Sequence, residues 1–144
     1  MRSLRTGCDA FSEDEENFKM HKPESLEYGL LWDLSAIEGE LRHEPAYAQN
    51  GHAARALARA ADLRVMLMVL KAGSHIDQHQ ANGTATVHVV SGQLKLRVAS
   101  RDVELQPGQI LILGAGLRHD VSATVDSAFV LTLGWSTAAG PRPV

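Results

Sequence analysis

His75, Asp77 and His79 recur at every second position, and a further histidine, His119, stands well beyond them in the chain. Imidazole and carboxylate groups hold divalent ions, and imidazole also exchanges protons near neutral pH, with an ordinary pKa of ~6.5. On an extended strand, alternate side chains share a face and the rise is ~3.3 Å per residue. By that rise His75 and His79 lie ~13 Å apart, too far to share one ion through bonds of ~2.0–2.1 Å. Asp77 and His79 lie only ~6.6 Å apart. Joined by His119 from a facing strand, they form a two-histidine, one-carboxylate set suited to an ion with open coordination positions. Without a metal, His79 could act as a general base. Both readings stay open at this stage.

Other chemistries find little support. No Ser-His-Asp order, phosphate-cradling glycine loop or pair of catalytic glutamates stands out. The single cysteine, Cys8, excludes an internal disulfide framework and a cysteine-based zinc site. Lys and Arg number 14 against 17 Asp and Glu, so the net charge is 14 − 17 = −3, which speaks against a binder of phosphate backbones. Residues 1–50 offer no helix-turn-helix candidate, so no nucleic-acid partner is expected. The longest strictly apolar run, Val65 to Leu70, falls far short of the ~18 residues a membrane span needs, and no membrane association is expected. The N-terminus has no apolar signal segment; Glu13-Asp14-Glu15-Glu16 stands there instead, and a cytoplasmic protein is expected. With 144 residues, 44% hydrophobic and 22% charged, the chain reads as one globular domain that can bury a core.

The elements that must position the histidines follow from the apolar pattern. Residues 1–34 read as a polar arm, 35–52 as a helix and connector, 53–136 as a β-barrel and 137–144 as a tail. Ser35-Ala36-Ile37-Glu38 has the form of a capping box, Leu34 and Leu41 give the helix an apolar side, and Pro45 is expected to end it. From residue 55 on, short strands alternate with turn residues. Leu63 to Leu70 is apolar on nearly both faces and reads as a central strand, one face toward the core and the other toward a partner. In Gln93 to Ala99, Leu94, Leu96 and Val98 face one way and Lys95 and Arg97 the other. Arg55–Arg59, Thr84–Val90, Asp102–Leu105, Ile110–Leu113, His119–Thr124 and Ala128–Leu133 complete seven or eight strands, the signature of an all-β sandwich or barrel.

Two spaced blocks sharpen this fold. Gly73 is followed after five residues by His79, after one by Ala81, after three by Ala85 and after six by Gly92. Gly108 is followed after five by Gly114, after one by Gly116, after two by His119 and after three by Ala123. These blocks resemble the two motifs of the cupin superfamily, and the resemblance covers residues ~55–135. It implies an all-β jelly-roll barrel, or double-stranded β-helix, with a short N-terminal helix and arm. The family's motifs read Gly, His, His, Glu, Gly and Gly, Pro, Gly, His, Asn. Three of those histidines and the glutamate usually hold a divalent metal. His79 and His119 match two of the histidines, but Ala81 replaces the third and Ala85 the glutamate, while Gly114 replaces the proline and Ala123 the asparagine.

The resemblance therefore implies the barrel and leaves its contents open. One reading is a small-molecule site lined by His79, His119, Ala81 and Ala85, with no fixed cofactor. A second is a dioxygenase- or isomerase-type enzyme holding iron, manganese, nickel or zinc through Asp77, His79 and His119. A third is a packed structural or regulatory barrel. The resemblance also implies a homodimer. Among the other histidines, His88 is expected to face away from the barrel, and His21, His43 and His52 to be solvated. Met66 and Met68 read as core residues, and Trp32 and Trp135 as packing against the sheets.

Overall fold

A computed structural model describes residues 26–79 and 81–134, without the side chains of Gln78 and His79. Expectations placed on residues 1–25, on Gln80 and on 135–144, Trp135 and the tail among them, lie outside the described residues. The chain divides into two units, residues 1–32 and 33–144. The described part of the first holds one 3₁₀ turn, Leu26–Tyr28, closed by the Gly29 N–H donating to the Leu26 carbonyl at 3.2 Å.

The second unit opens with two helices. Helix α1 spans Leu34–Arg42, and its N-cap is Asp33, whose carboxylate accepts from the Ala36 N–H at 3.2 Å. The capping box expected at Ser35 does not form: Glu38 instead bonds Arg42 and accepts from the Ser91 hydroxyl, both at 2.8 Å. Pro45 does not simply stop the chain. It occupies the first turn of a second helix, α2 (Pro45–Asn50), where its missing N–H costs nothing. Gly51 closes α2 at φ 82°, a left-handed conformation that glycine adopts without strain. Among the described residues no helix is long and apolar enough to cross a membrane.

Nine strands follow among the described residues: β1 (His52–Arg59), β2 (Leu63–Leu70), β3 (His75–His79), β4 (Ala85–Ser91), β5 (Leu94–Val98), β6 (Arg101–Leu105), β7 (Ile110–Leu113), β8 (His119–Ala123) and β9 (Ser127–Gly134). They form two antiparallel sheets, β1-β2-β9-β4-β7 and β3-β8-β5-β6, the jelly-roll arrangement expected. Between the sheets lies one core, with Leu70, Val87, Val89, Leu94, Leu96, Val121 and Phe129 fully buried. The alternation in β5 is realised, with Leu94, Leu96 and Val98 inward and Lys95 and Arg97 exposed.

A second core explains why β2 is apolar on both faces. Its Leu67 and Val69 pack with Ile37, Leu41 and Tyr47 of the helices. The outer face expected to meet a partner is thus covered, over β1, β2 and β9, by the chain's own helices. Burying each Leu or Ile side chain there contributes roughly 1.5–3 kcal/mol. Arg55 on β1 adds ion pairs to Glu40 and Glu44, and these raise its pKa: the hydrogen bond to Glu40 dominates. For Arg42, burial works to lower the pKa, but the Glu38 hydrogen bond and the charges of Tyr47 and Glu38 outweigh it, leaving it above the ordinary value. Such partly exposed pairs are worth ~0–1 kcal/mol each and orient the helices more than they hold them.

The connections define two ends of the barrel. At one end lie residues 71–74, 92–93, 106–109 and 124–126; at the other lie 60–62, 81–84, 99–100 and 114–118. The first end is sealed. Gly92 sits at φ +84°, and a Cβ there would run into the Ser127 hydroxyl and the Asp126 carbonyl. The wholly buried Ser127 hydroxyl accepts from the Gln93 N–H at 2.9 Å and donates to the Val125 carbonyl at 2.7 Å.

Candidate functional site

His119 begins β8 at the second end, on the face that alternates with buried Val121 and Ala123, and its side chain is only 3% exposed. Its Nδ1 lies 3.0 Å from the Leu117 carbonyl oxygen. A carbonyl can only accept, so Nδ1 carries a proton and donates it to Leu117. In register, His119 stands opposite His79 of β3 on one side and Val98 of β5 on the other. The structure thus brings the two motif histidines to one register position.

Asp77 is not brought there. The register of β3 shifts between Ile76 and His79, so that Asp77 and Gln78 both oppose Asp120. This bulge breaks the strict alternation on which the shared face of Asp77 and His79 depended. The Asp77 side chain is 96% exposed and lies 3.6 Å from His75 Nε2, while His119 is buried. The described residues thus place Asp77 on the exposed side of β3, beside His75.

The two alanines occupy the places the motif spacing assigned them. Ala85 is 1% exposed, opposite Leu113 and Leu133. Ala81 is partly buried against the core between the sheets, and its carbonyl accepts from the Gly116 N–H at 2.9 Å, tying the two motif loops together. Ala123 lies at the sealed end of β8 and takes no part. His88 is exposed on the outer face of β4, as expected. Among the described residues, no three of His, Cys, Asp or Glu gather closely enough to hold a metal ion. With alanine at 81 and 85 and Asp77 turned outward, the described donor set does not fit the three-histidine, one-glutamate ion that the motifs would otherwise imply.

Burial changes along the barrel's inner surface. Toward the sealed end Leu70, Val89, Leu94 and Phe129 are fully buried, whereas Met66, Leu131 and Leu133, nearer His119, keep contact with solvent. The second end is the open one. At its edge two arginines that sequence reasoning did not single out, Arg59 and Arg64, stand directly opposite each other on β1 and β2. Their only sequence signal is the placement of one basic residue on each side of a short turn. A separate depression of about 320 Å³ lies on the outer face of the four-stranded sheet, among His75, Lys95, Arg97, Asp102, Asp120 and Ser122. There the Arg97 guanidinium pairs with Asp102 at 3.3 Å, and the Arg97 backbone N–H donates to the Asp120 carboxylate at 3.1 Å.

Residues 66–134 match the family model described as a cupin domain. The fold is similar to that of a conserved protein of unknown function from Streptococcus pyogenes, with 23% identity over 80% of this chain and 90% of that one, at a TM-score of 0.62. It is also similar to a cupin 2 conserved barrel domain protein from Leptotrichia buccalis, at 25% identity over 60% of this chain and 42% of that one, with a TM-score of 0.58. A third similar structure is salicylate 1,2-dioxygenase from Pseudoaminobacter salicylatoxidans, at 18% identity over 70% of this chain and 30% of that one, with a TM-score of 0.57. No curated protein sequence matches the chain.

Proposed function

We propose that this chain, whose residues 66–134 match a cupin domain, binds a small organic molecule in its barrel at the open end, beside His79 and His119, without a resident metal. The observation that carries this reading is a buried imidazole, oriented by the Leu117 carbonyl, at the end where Met66, Leu131 and Leu133 still meet solvent. Ligand sites are mostly apolar with a few placed polar groups, and this end has that composition. In this reading the His119 imidazole is the polar group beside the ligand, Leu131, Leu133 and Met66 contact its apolar part, and Ala81 and Ala85 leave the volume that larger side chains would fill.

The rival reading, an enzyme of the dioxygenase or isomerase type, draws on the register pairing of His79 with His119 and needs Asp77 as its third ligand, a side chain that is 96% exposed beside His75. A thermal-shift screen of small alcohols, aldehydes and acids on chelator-treated protein, repeated on His119→Leu and Ala81→Phe, tests the proposal. Compounds that stabilise the chelator-treated protein but neither variant support it. Stabilisation only after iron, manganese, nickel or zinc is restored favours the enzyme reading.

A further inference from the structure

We propose that Arg59 and Arg64 form a clamp for the carboxylate of an amphiphilic acid whose apolar body enters the open end of the barrel. This inference rests on the reading of the barrel as a ligand site and names the class of ligand. It starts from an arrangement that ordinary sheet energetics disfavours. Arg59 and Arg64 are a cross-strand pair on β1 and β2, a relation that puts Cβ atoms ~4.5–5.5 Å apart and makes like charges repel. Both are exposed. Neither has an acidic partner among the described residues, and Asp62 in the turn between the two strands pairs with neither. Three other arginines of the same unit are matched, Arg42 with Glu38, Arg55 with Glu40 and Glu44, and Arg97 with Asp102, whereas Arg101 on β6 is not matched among the described residues.

The register gives the pair its direction. Arg64 follows the alternation of Met68 and Leu70, which pack between the sheets, and it stands opposite Leu133, also packed against that core. The shift in β1 between Ala56 and Ala58 brings Arg59 opposite Arg64, and directly opposed residues share a face. Both arginines therefore sit on the barrel side of the sheet at its open end, in the same cross-strand row as Leu133 and Ala85. Two guanidinium forks about one strand spacing apart can grip the two oxygens of one carboxylate in charge-assisted hydrogen bonds. The inward side chains just beyond them, Met66, Leu131 and Leu133, are wholly apolar and partly solvated. A head group met by two cations and a body met by hydrocarbon describes a monocarboxylic acid with an apolar tail.

Isothermal titration of the full chain with octanoate tests the clamp, with 1-octanol as the uncharged counterpart. Arg59→Gln and Arg64→Gln are compared with Lys95→Gln on the outer face of the other sheet. The clamp predicts that octanoate binds the wild type and weakens with added salt. It also predicts that each arginine substitution weakens octanoate about tenfold or more. Octanol binding and the Lys95→Gln titration should not change. Because each arginine substitution relieves repulsion, folding stability should hold or rise, which separates lost binding from lost fold. If octanoate binds equally well to all four proteins, the clamp is overturned while the barrel site stands. If neither octanoate nor octanol binds, both are overturned.

Discussion

The two ends of this barrel are built from the same strands and differ in almost every physical respect. At the sealed end, Gly92 lies against Ser127 so closely that no side chain fits, and Leu70, Val89, Leu94 and Phe129 near it are excluded from water. At the open end, Met66, Leu131 and Leu133 keep contact with solvent beside buried Ala85 and Leu113, two alanines stand where larger polar groups would fit the motif, and a buried imidazole stands opposite a second histidine in register. Close packing contributes stability only where it is complete, and a pocket needs the opposite. The separation lets one end hold the fold while the other is free to vary.

Substitutions at the sealed end should therefore cost stability, and those at the open end should cost binding. The largest effect is expected for Gly92→Ala, which combines a left-handed φ of +84° with a backbone clash. A loss of about 3 kcal/mol or more is expected in denaturant unfolding. Ser127→Ala comes next. It strands the Gln93 N–H that the hydroxyl now accepts, at a cost of roughly 1–3 kcal/mol. At the open end, His119→Leu preserves volume and should lower stability by only about 1 kcal/mol, while removing ligand-induced thermal shifts altogether. The smallest effect is expected for Asp77→Ala, on an exposed carboxylate, with a stability change within about 0.5 kcal/mol and no change in ligand binding. A large binding loss in Asp77→Ala would return that carboxylate to the site and undo the comparison.

How much of this was legible in the sequence varies with the physics that decided each element. The alternation of β5 is local and strict, so its faces could be read directly, and the glycines of the two motif blocks mark turns that only a few folds require. The covered face of β2 was legible as apolar, but nothing in the residues said whether helix or partner would cover it. The bulge in β3 was not legible, because Asp77 and Gln78 are neither glycine nor proline and give no local sign of an extra residue. It nevertheless decides the fate of Asp77. Pro45 was ambiguous because the ring that ends one helix can equally begin another, and Asp33 competed with Ser35 as two capping residues of similar strength. Arg59 and Arg64 became a pair only through the register shift at Ala56–Ala58, which no sequence pattern announces.

The central claim, a metal-independent ligand site at the open end, is tested most directly by nuclear magnetic resonance. Chelator-treated, ¹⁵N-labelled protein would be titrated with octanoate and with 1-octanol. The account predicts amide shifts at the open end, at Arg64, Ala81, Ala85, Val98, His119 and Leu133. It predicts none at Leu94, Ser127 or Gly92, or on the outer strand positions around Lys95. Shifts that appear only once a divalent ion is added, or that cluster around Lys95 and Asp120, would contradict it.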